Sequence, residues 1–412
     1  MDIYFFIIIG VIVFEYLLSF SVRTLNIRAL SSKLPEEFRD VYDNEKYIKS
    51  QDYTKTNAKF SYLTSTFSLG LGLWFILSGF YNSLDLYARG FGFNEIITGI
   101  LFFGILFMIN DILSLPLSIY KTFVIEEKYG FNKTTYKTFI TDKIKQYFLL
   151  VLIGFPFLYL VLLFFDIFKD NAWLVVWLLM ASFMVLIQPL FNNFIAPMFN
   201  KFTPLEEGPL LEKIKKYLEK VDFPVKKLEV VDGSRRSGHS NAYFSGFGKN
   251  KRIALFDTLI DQMDDDEIVA IVAHEVGHYK LKHIQTGMIS GIIQTGIMLF
   301  ALSLFVNNEN LFNVFQVENV SVYASLVFFS MLYAPISIIS GVVSMIISRR
   351  NEFSADSYSA KTANLPESLI SGLKKLSSEN LSNLTPHWLN VFLNYSHPPV
   401  LDRVNALKSK VS

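Results

Sequence analysis

The 412-residue sequence contains no cysteine and few charged residues. The absence of cysteine excludes disulfide bonds, thiolate-coordinated metals and a thiol nucleophile. Only 18% of the residues are charged, whereas a soluble protein has about a quarter. The formal net charge of +1 offers no argument for a nucleic-acid partner. A low charge content together with 51% hydrophobic residues indicates a membrane protein with several spans.

The apolar residues are concentrated in seven runs, each long enough for the ~20 residues with which a helix crosses a bilayer. These runs predict seven transmembrane helices, near Ile3–Val22, Leu63–Tyr81, Glu95–Ile119, Tyr147–Ile167, Ala172–Ile195, Thr286–Val306 and Val322–Ile347. The first run contains Glu15 and has no basic segment before it, which favours a retained span over a signal peptide. Asn110 and Asp111 also lie within a run. Such polar groups are costly in a membrane unless they face a polar chamber or another helix.

The loops between these runs alternate in their content of Lys and Arg. Residues 21–60 contain eight and residues 121–146 contain six, whereas residues 82–94 and 168–171 contain one each and residues 307–320 contain none. The positive-inside rule then predicts an external N-terminus and a cytoplasmic C-terminus. The polar segment before the sixth run and the one after the seventh run both face the cytoplasm in this topology.

The longest polar segment, residues 196–284, has a mixed helical and β-like pattern. Glu207–Val221 has apolar residues at helical spacing and predicts an amphipathic helix. Three β-like runs follow, at Lys227–Val231, Asn241–Phe247 and Arg252–Phe256. A helix is then expected to begin near Asp264 and to continue into the sixth span, because no Pro or Gly pair interrupts it. After the seventh span, further helices are predicted at Asn351–Thr362, Pro366–Ser377 and Pro399–Lys408.

Residues 274–278 read H-E-V-G-H and form the most informative motif of the chain. Positions i and i+4 of a helix share a face, so His274 and His278 can direct imidazole nitrogens at one ion. Glu275 lies beside them, where it can hold a water molecule without being a ligand. The acidic residues from Asp264 to Glu267 favour a helix start at this point. The motif predicts a hydrolase with one zinc ion per chain.

A catalytic zinc site needs a third protein ligand and keeps its fourth position for water. The candidates are the carboxylates and the histidines His239, His283, His387 and His397. Glu352 is favoured, because it directly follows the last span on the same predicted side of the membrane. Asp356 lies one helical turn later, where it can orient a ligand histidine or pair with an arginine. The alternative is a solvated helix face next to Arg349 and Arg350.

Several segments together resemble the CAAX prenyl protease 1 (Ste24-type) branch of the M48 metallopeptidases. They are residues 274–278, residues 352–356 (EFSAD), residues 239–244 (HSNAYF), residues 397–399 (HPP), residues 122–135 and residues 195–202. The resemblance covers almost the whole chain. It implies zinc held by His274, His278 and Glu352, with Glu275 as the general base. It also implies seven membrane helices that enclose a chamber, under a mainly helical zinc-peptidase cap that contains a small β element.

The resemblance implies supporting roles for three further residues. His397 would stabilise the tetrahedral intermediate, Asn241 would lie on the strand that runs along the substrate, and Arg403 would pair with Asp356. Without the resemblance, His397 could cap a turn beside two prolines and Asn241 could satisfy a turn. The remaining histidines are expected at the surface or the membrane interface and receive no role: His239, His283 and His387.

These observations divide the chain into two regions. Residues 1–195 should form transmembrane helices 1–5, and residues 196–412 the peptidase region. Within it we expect the zinc helix at 264–284, spans six and seven at about 286–347, and a C-terminal cap at 348–412. The predicted function is a zinc metalloendopeptidase that acts on prenylated CAAX-type peptides or, in a bacterium, on membrane or misfolded proteins. The alternative is a seven-span transporter or lipid-binding protein with a structural zinc site.

The same observations also predict location and partners. Lys, Asn and Phe are frequent, cysteine is absent and the loops are short, a composition that favours a bacterial inner membrane over the endoplasmic reticulum of a eukaryote. The active site is expected to face the cytoplasm, and the protein is expected to be a monomer. Its expected partners are a peptide or protein substrate and membrane lipid.

Overall fold

The structure, a computed structural model, describes residues 3–246, 251–306 and 308–411. Its N-terminal half contains the α-helices α1 (Ile3–Arg28), α2 (Asn44–Leu77), α3 (Phe80–Arg89), α4 (Glu95–Tyr120), α5 (Glu127–Tyr129), α6 (Tyr136–Leu149), α7 (Phe155–Phe168), α8 (Ala172–Leu190) and α9 (Ala196–Phe199). Three π-helical segments join neighbouring helices, at Lys121–Glu126, Leu150–Gly154 and Phe191–Ile195. Side-chain caps define several starts; for example, Asp43 accepts a hydrogen bond from the backbone N–H of Lys46 at the start of α2.

The C-terminal half adds a small sheet and further helices. Its strands are β1 (Phe202–Pro204), β2 (Lys227–Val231), β3 (Ala242–Ser245) and β4 (Arg252–Phe256). The spatial order is β1-β2-β4-β3; β2 and β4 are parallel, and the other pairs are antiparallel. The helices are α10 (Pro209–Lys220), α11 (Asp257–Gln262), α12 (Asp265–Lys280), α13 (His283–Ser303), α14 (Glu309–Val314), α15 (Val322–Ala363), α16 (Pro366–Glu379), α17 (Trp388–Asn394) and α18 (Val400–Val411). We call the sheet together with α10–α12 and α16–α18 the cap.

Six helical segments among the described residues are long and apolar enough to cross a membrane. They are Ile3–Arg28, Asn44–Leu77, Glu95–Tyr129, Tyr136–Phe199, His283–Ser303 and Val322–Ala363. The fourth has 64 residues and as one straight helix would extend about 96 Å, three times the hydrocarbon thickness of a bilayer. Instead the chain turns at Lys169–Asn171, and α7 packs against α8. The count of seven spans stays a prediction, because it requires that this segment be counted as two.

The loops between the spans gather at two ends of the molecule. Residues 29–43 contact the cap, where the Tyr42 hydroxyl donates a hydrogen bond to the carbonyl oxygen of Ser377 at 2.9 Å. At the other end, the Asn82 amide donates to Glu318 at 3.2 Å. We call these the cap end and the far end. Residues 121–146 also contact the cap end, because Asp142 pairs with Arg236, in the loop between β2 and β3, at 2.7 Å. Both regions richest in Lys and Arg, residues 21–60 and 121–146, therefore have their loops at the cap end.

Most of the predicted cap elements are present, with two corrections. The amphipathic helix and the three β-like runs are confirmed as α10 and β2–β4, although Phe247 lies outside the described residues. The zinc helix does not continue into the sixth span. It ends at Lys280, and Lys282 has a φ of 62°, a left-handed conformation through which no α-helix continues. The helix predicted at Asn351–Thr362 is the last part of α15, which continues from the membrane span without a break.

One of the polar residues within the spans has a clear structural role. Asp111 on α4 accepts hydrogen bonds from Lys143 Nζ at 2.6 Å and from the Tyr147 hydroxyl at 2.7 Å, both on α6. The neighbouring Asn110 donates to the carbonyl oxygen of Leu106 within its own helix. Pairing between helices therefore accounts for Asp111.

Candidate metal centre

Helix α12 carries the H-E-x-x-H sequence through the middle of the cap. A capping box fixes its start: the Asp264 side chain accepts from the backbone of Glu267, and Glu267 Oε2 accepts from the Asp264 N–H at 2.9 Å. The apolar residues of α12 are buried against the sheet and α10. On the opposite side Gly277 allows α15 to approach closely, because a Cβ there would lie 3.3 Å from the backbone of Ala355. This packing turns the two histidines of the motif towards α15.

Three side chains from α12 and α15 form a compact group of ligand atoms. His274, His278 and Glu352 each place one such atom within 4.8 Å of the other two. The two Nε2 atoms lie 3.1 Å apart. Glu352 Oε1 lies 3.2 Å from His278 Nε2, and Glu352 Oε2 lies 3.4 Å from His274 Nε2. The structure thus brings the three predicted ligands together.

The geometry and electrostatics of this group fit a zinc ion. Ligands bonded tetrahedrally to zinc at about 2.0–2.1 Å lie about 3.3 Å from one another, close to the separations found here. Glu352 Oε2 is buried and accepts no hydrogen bond of good geometry from a described residue, although Arg403 Nη1 lies 3.3 Å away as an ion-pair partner. Burial alone would lower the pKa of His274, yet the facing carboxylates of Asp356 and Glu352 raise that pKa to about 9. The site therefore favours a positive charge, and two imidazoles with one carboxylate suit zinc.

Asp356 and Arg403 support the group from behind. Arg403 holds Asp356 with two hydrogen bonds, from Nε at 2.8 Å and from Nη2 at 2.6 Å. Asp356 Oδ1 also lies 2.9 Å from His274 Nδ1, the ring nitrogen that points away from the other ligands. Both residues are buried. A carboxylate in this place orients a ligand histidine and raises its basicity.

Glu275 lies next to the three candidate ligands without belonging to their group. Its side chain borders a cavity of about 790 Å³, and the backbone of Phe244 on β3 provides a hydrogen bond to its carboxylate. Burial raises the pKa of Glu275 above the ordinary value, although the neighbouring histidines oppose this shift when they are charged. A carboxylate with a raised pKa is a stronger proton acceptor, as a general base requires.

The strand β3 presents a free edge to the same cavity. It is the last strand of the sheet and, among the described residues, pairs only with β4. Asn241 lies immediately before it and borders the cavity, while its Oδ1 accepts a hydrogen bond from the N–H of Ala242 at 2.8 Å. Asn241 therefore both satisfies a turn and faces the space in front of Glu275.

His397 reaches the site from the loop before α18. Its Nε2 lies 3.5 Å from Glu352 Oε1, and its Nδ1 lies 2.9 Å from the Ser396 hydroxyl. The side chain is 64% exposed, far more than the three grouped ligands. This position leaves the imidazole free to approach a molecule bound in front of the group.

Two cavities meet at these residues. The larger one extends towards the membrane helices, where it is bordered by polar side chains of α13 and α15 such as Ser290, Gln294 and Ser344. The smaller one, about 220 Å³, extends into the cap. Its walls include the apolar side chains Leu369, Leu373 and Leu376. An extended chain could therefore cross the site with one part near the membrane helices and the other in the cap.

Two histidines without a predicted role lie in or near the site. His283 Nδ1 is 3.1 Å from His278 Nδ1, on the side opposite the grouped ligand atoms. His239 lies two residues before Asn241. Its ring stacks on Phe131 with 3.8 Å between ring centroids and contacts Asn380. Both histidines are partly exposed, and His283 is the first residue of a membrane-span helix, so their contacts near the site are compatible with the expected surface or interfacial position. His387 caps α17 through its Nδ1, next to the exposed Trp388.

Comparisons with known families and structures agree with this arrangement. The family described as "CAAX prenyl protease N-terminal, five membrane helices" matches residues 24–201, and "Peptidase family M48" matches residues 204–411. The "CAAX prenyl protease 1 homolog" of Oryza sativa subsp. japonica is 36% identical over 91% of this chain and 90% of its own length. The "CAAX prenyl protease 1" of Saccharomyces cerevisiae is 34% identical over 91% of this chain and 88% of its own length.

A solved structure extends the similarity to the fold. The crystal structure of S. mikatae Ste24p superposes with a TM-score of 0.94 at 32% sequence identity, and the match covers 99% of each chain. Both family matches, the relatives and the fold agree over nearly all of the sequence. The chain therefore belongs to the CAAX prenyl protease 1 family of M48 membrane peptidases.

Proposed function

We propose that this chain is a membrane-embedded zinc endopeptidase that cleaves prenylated CAAX-type proteins. In this proposal His274, His278 and Glu352 hold the zinc ion and Glu275 is the general base. The observation that carries it is the position of Glu275, a carboxylate beside three grouped ligands that itself faces a cavity under the free edge of β3. The names of the relatives support the choice of substrate.

The chemistry follows from the positions of the protein's own groups. Bound zinc would act as a Lewis acid and activate a water molecule. Glu275 accepts a proton from the attacking water and passes it to the nitrogen of the leaving amine. His397 donates a hydrogen bond to the oxyanion that develops on the scissile carbonyl. Such a donor typically contributes about 3–4 kcal/mol to transition-state stabilisation.

The edge of β3 supplies the binding mode. An extended substrate adds to this edge as a further strand, with main-chain hydrogen bonds that depend little on side-chain identity. Asn241 stands at the start of the strand and contacts the substrate close to the reacting bond. The leucine-lined cavity accepts an apolar side chain next to that bond, which suits the aliphatic residues of a CAAX sequence.

The position of the site relative to the membrane also suits a lipidated substrate. Glu352 lies on α15, a helix of 42 residues and about 63 Å that continues from a membrane span into the cap. A substrate whose end is anchored in lipid can therefore reach the site without leaving the membrane surface. The basic loops at this end favour a cytoplasmic location under the positive-inside rule. The choice between a bacterial inner membrane and the endoplasmic reticulum stays a prediction.

The alternative, a transporter or lipid-binding protein with a structural zinc site, is not favoured. A structural zinc site has four protein ligands. Here the described residues contribute three grouped ligands, and the adjacent Glu275 borders open space. Glu275 would have no role in a structural site.

The direct test is Glu275→Gln in the full chain, purified in detergent. Hydrolysis of a quenched farnesylated peptide should fall about 10²–10⁴-fold, the usual contribution of a general base, while one zinc ion per chain stays bound. Glu212→Gln on the exposed face of α10 is the matched control and should keep full activity. Full activity of Glu275→Gln with zinc bound would refute the proposed mechanism.

A further inference from the structure

The turn that ends α12 brings together two histidines that a continuous helix would hold apart. Residues 278 and 283 are five positions apart, and in an uninterrupted helix their side chains would point about 140° away from each other. The left-handed Lys282 ends α12, and α13 begins at His283 with a new direction. As a result the rings of His278 and His283 meet at an angle of 74° with 5.1 Å between centroids, and their Nδ1 atoms lie 3.1 Å apart.

This contact is one link of a longer hydrogen-bonded chain. The other ring nitrogen of His283, Nε2, lies 3.3 Å from the hydroxyl oxygen of Ser354. The Ser354 hydroxyl in turn donates to the carbonyl oxygen of Asn351 at 2.9 Å. Ser354 lies on α15, two residues after Glu352. This series of hydrogen bonds therefore connects α15 to the side of His278 that faces away from the grouped ligand atoms.

The protons of these hydrogen bonds have one arrangement that allows His278 to bind a metal. His278 directs Nε2 at Glu352 and at Nε2 of His274, so this atom must be unprotonated to bind a metal. A neutral imidazole with a free Nε2 carries its proton on Nδ1. That proton needs an acceptor, and Nδ1 of His283 accepts it when His283 carries its own proton on Nε2. The Nε2–H of His283 then donates to Ser354, whose hydroxyl proton is directed at Asn351.

We propose that His283 is a positioning residue of the metal site: its Nδ1 accepts the Nδ1–H of His278 and thereby fixes the tautomer and the ring orientation of that ligand. The inference rests on the proposed function, since it requires His278 to be a ligand. It gives the second ligand histidine a partner comparable to the one that His274 has in Asp356. The difference is that Asp356 is an anion paired with Arg403, whereas His283 is a neutral acceptor.

Three substitutions at this one position separate an acceptor role from simple filling of space. His283→Asn places its Oδ1 near the location of Nδ1 and keeps an acceptor for His278. His283→Gln extends its amide towards Ser354, where Nε2 lay, and loses the acceptor for His278. His283→Leu fills the space and accepts no hydrogen bond.

The experiment measures the zinc dissociation constant of the full chain in detergent by competition with a chelator. His283→Leu and His283→Gln should each weaken zinc binding about 10–100-fold, the usual cost of losing the partner of a ligand histidine. His283→Asn should stay within about threefold of the wild type on the same principle. If His283→Leu does not fold, the difference between the Asn and Gln variants decides the question.

A reference variant separates this inference from the metal site itself. His278→Ala should lose tight zinc binding, and if it does not, the proposed ligand set is wrong. If His278→Ala loses zinc while His283→Leu or His283→Gln keeps the wild-type affinity, only the role of His283 is refuted. Equal weakening in the Asn and Gln variants would likewise refute it, because filled space rather than an acceptor would then be what matters.

Discussion

Two buried carboxylates at opposite ends of the molecule meet their partners in different ways. At the far end, Asp85 is fully buried and accepts hydrogen bonds from the Tyr323 hydroxyl, from Arg89 Nε at 2.8 Å and from the Asn319 amide at 3.2 Å. At the cap end, Glu352 is also buried, yet its Oε2 accepts no hydrogen bond of good geometry from a described residue and has an ion-pair contact with Arg403 Nη1 at 3.3 Å.

This difference distinguishes a structural network from a binding site. The oxygens of Asp85 are both satisfied by protein donors, so the group ties α3 to α15 and to the loop before it. An unsatisfied buried carboxylate oxygen costs free energy, unless a cation or another donor occupies the space beside it. Arg403 neutralises part of the charge at the metal site, but Glu352 can still bind a cation there, whereas both oxygens of Asp85 already accept hydrogen bonds from the protein. Four predictions test this contrast.

The largest effect is expected for Glu352→Ala. Zinc affinity should fall by more than about 100-fold, beyond the usual cost of losing only the partner of a ligand, and peptidase activity should be lost. The metal-free variant should lose less free energy of unfolding than Asp85→Ala does, because Arg403 loses its contact with Glu352 but keeps its two hydrogen bonds to Asp356. Chelator competition and thermal unfolding in detergent measure the two quantities. A large loss of stability with intact zinc binding would place Glu352 in the same class as Asp85.

The reverse pattern is expected for Asp85→Ala. Removal of this carboxylate leaves Arg89 and Tyr323 without their buried partner, which should lower the free energy of unfolding by about 3–5 kcal/mol. Zinc affinity should change less than about twofold, because the network lies at the far end and shares no partner with the metal site. The same two measurements apply. Weakened zinc binding in this variant would show that the two ends are coupled.

A smaller effect is expected for Asp356→Asn. The amide keeps the size of the side chain but removes the charge that pairs with Arg403 and faces His274. Zinc binding should weaken about 10–100-fold. Asp402→Asn, on the exposed side of α18, is the matched control and should bind zinc like the wild type. Unchanged affinity in Asp356→Asn would mean that Arg403 alone organises this side of the site.

The mildest test is the pH dependence of zinc binding. In the metal-free protein the facing carboxylates raise the pKa of His274 to about 9 against the effect of burial, so zinc must displace a proton below that pH. The zinc dissociation constant should therefore fall about tenfold per pH unit between pH 6 and 8. In Asp356→Asn the pKa of His274 should drop, and the dependence should level off at lower pH. A flat profile in the wild type would contradict the proton competition.

The predictable parts of the site are those that local sequence encodes. That His274 and His278 share a helix face can be predicted from helical periodicity. The membrane helices can be predicted from their apolar composition. Both features depend only on residues within one helix. Glu352 could be assigned to the same side of the membrane as the motif from its place after the last span. The distance of 3.2 Å between Glu352 and His278 could not be predicted from the sequence, because it depends on how closely Gly277 lets α15 approach α12.

His283 shows most clearly where sequence reasoning failed. No Gly or Pro follows the last residue of α12 to indicate that the helix ends, and the residue with the left-handed conformation is Lys282. Local sequence therefore predicts a continuous helix, in which the side chain of His283 would point about 140° away from that of His278. The turn lies where α12 and α13 both pack against α15, a helix that is distant from them in sequence. A local pattern carries no signal of such contacts.

By itself, the sequence determined that this is a membrane protein with an H-E-x-x-H helix, and its motifs indicated the M48 family. Hydrophobicity and helical spacing suffice for this, because they act along a single segment of chain. Only the tertiary structure brought together the side chains that we propose complete and support the metal site. Glu352, Asp356, Arg403 and His283 reach it from three different helices, and their meeting depends on packing and on one left-handed turn.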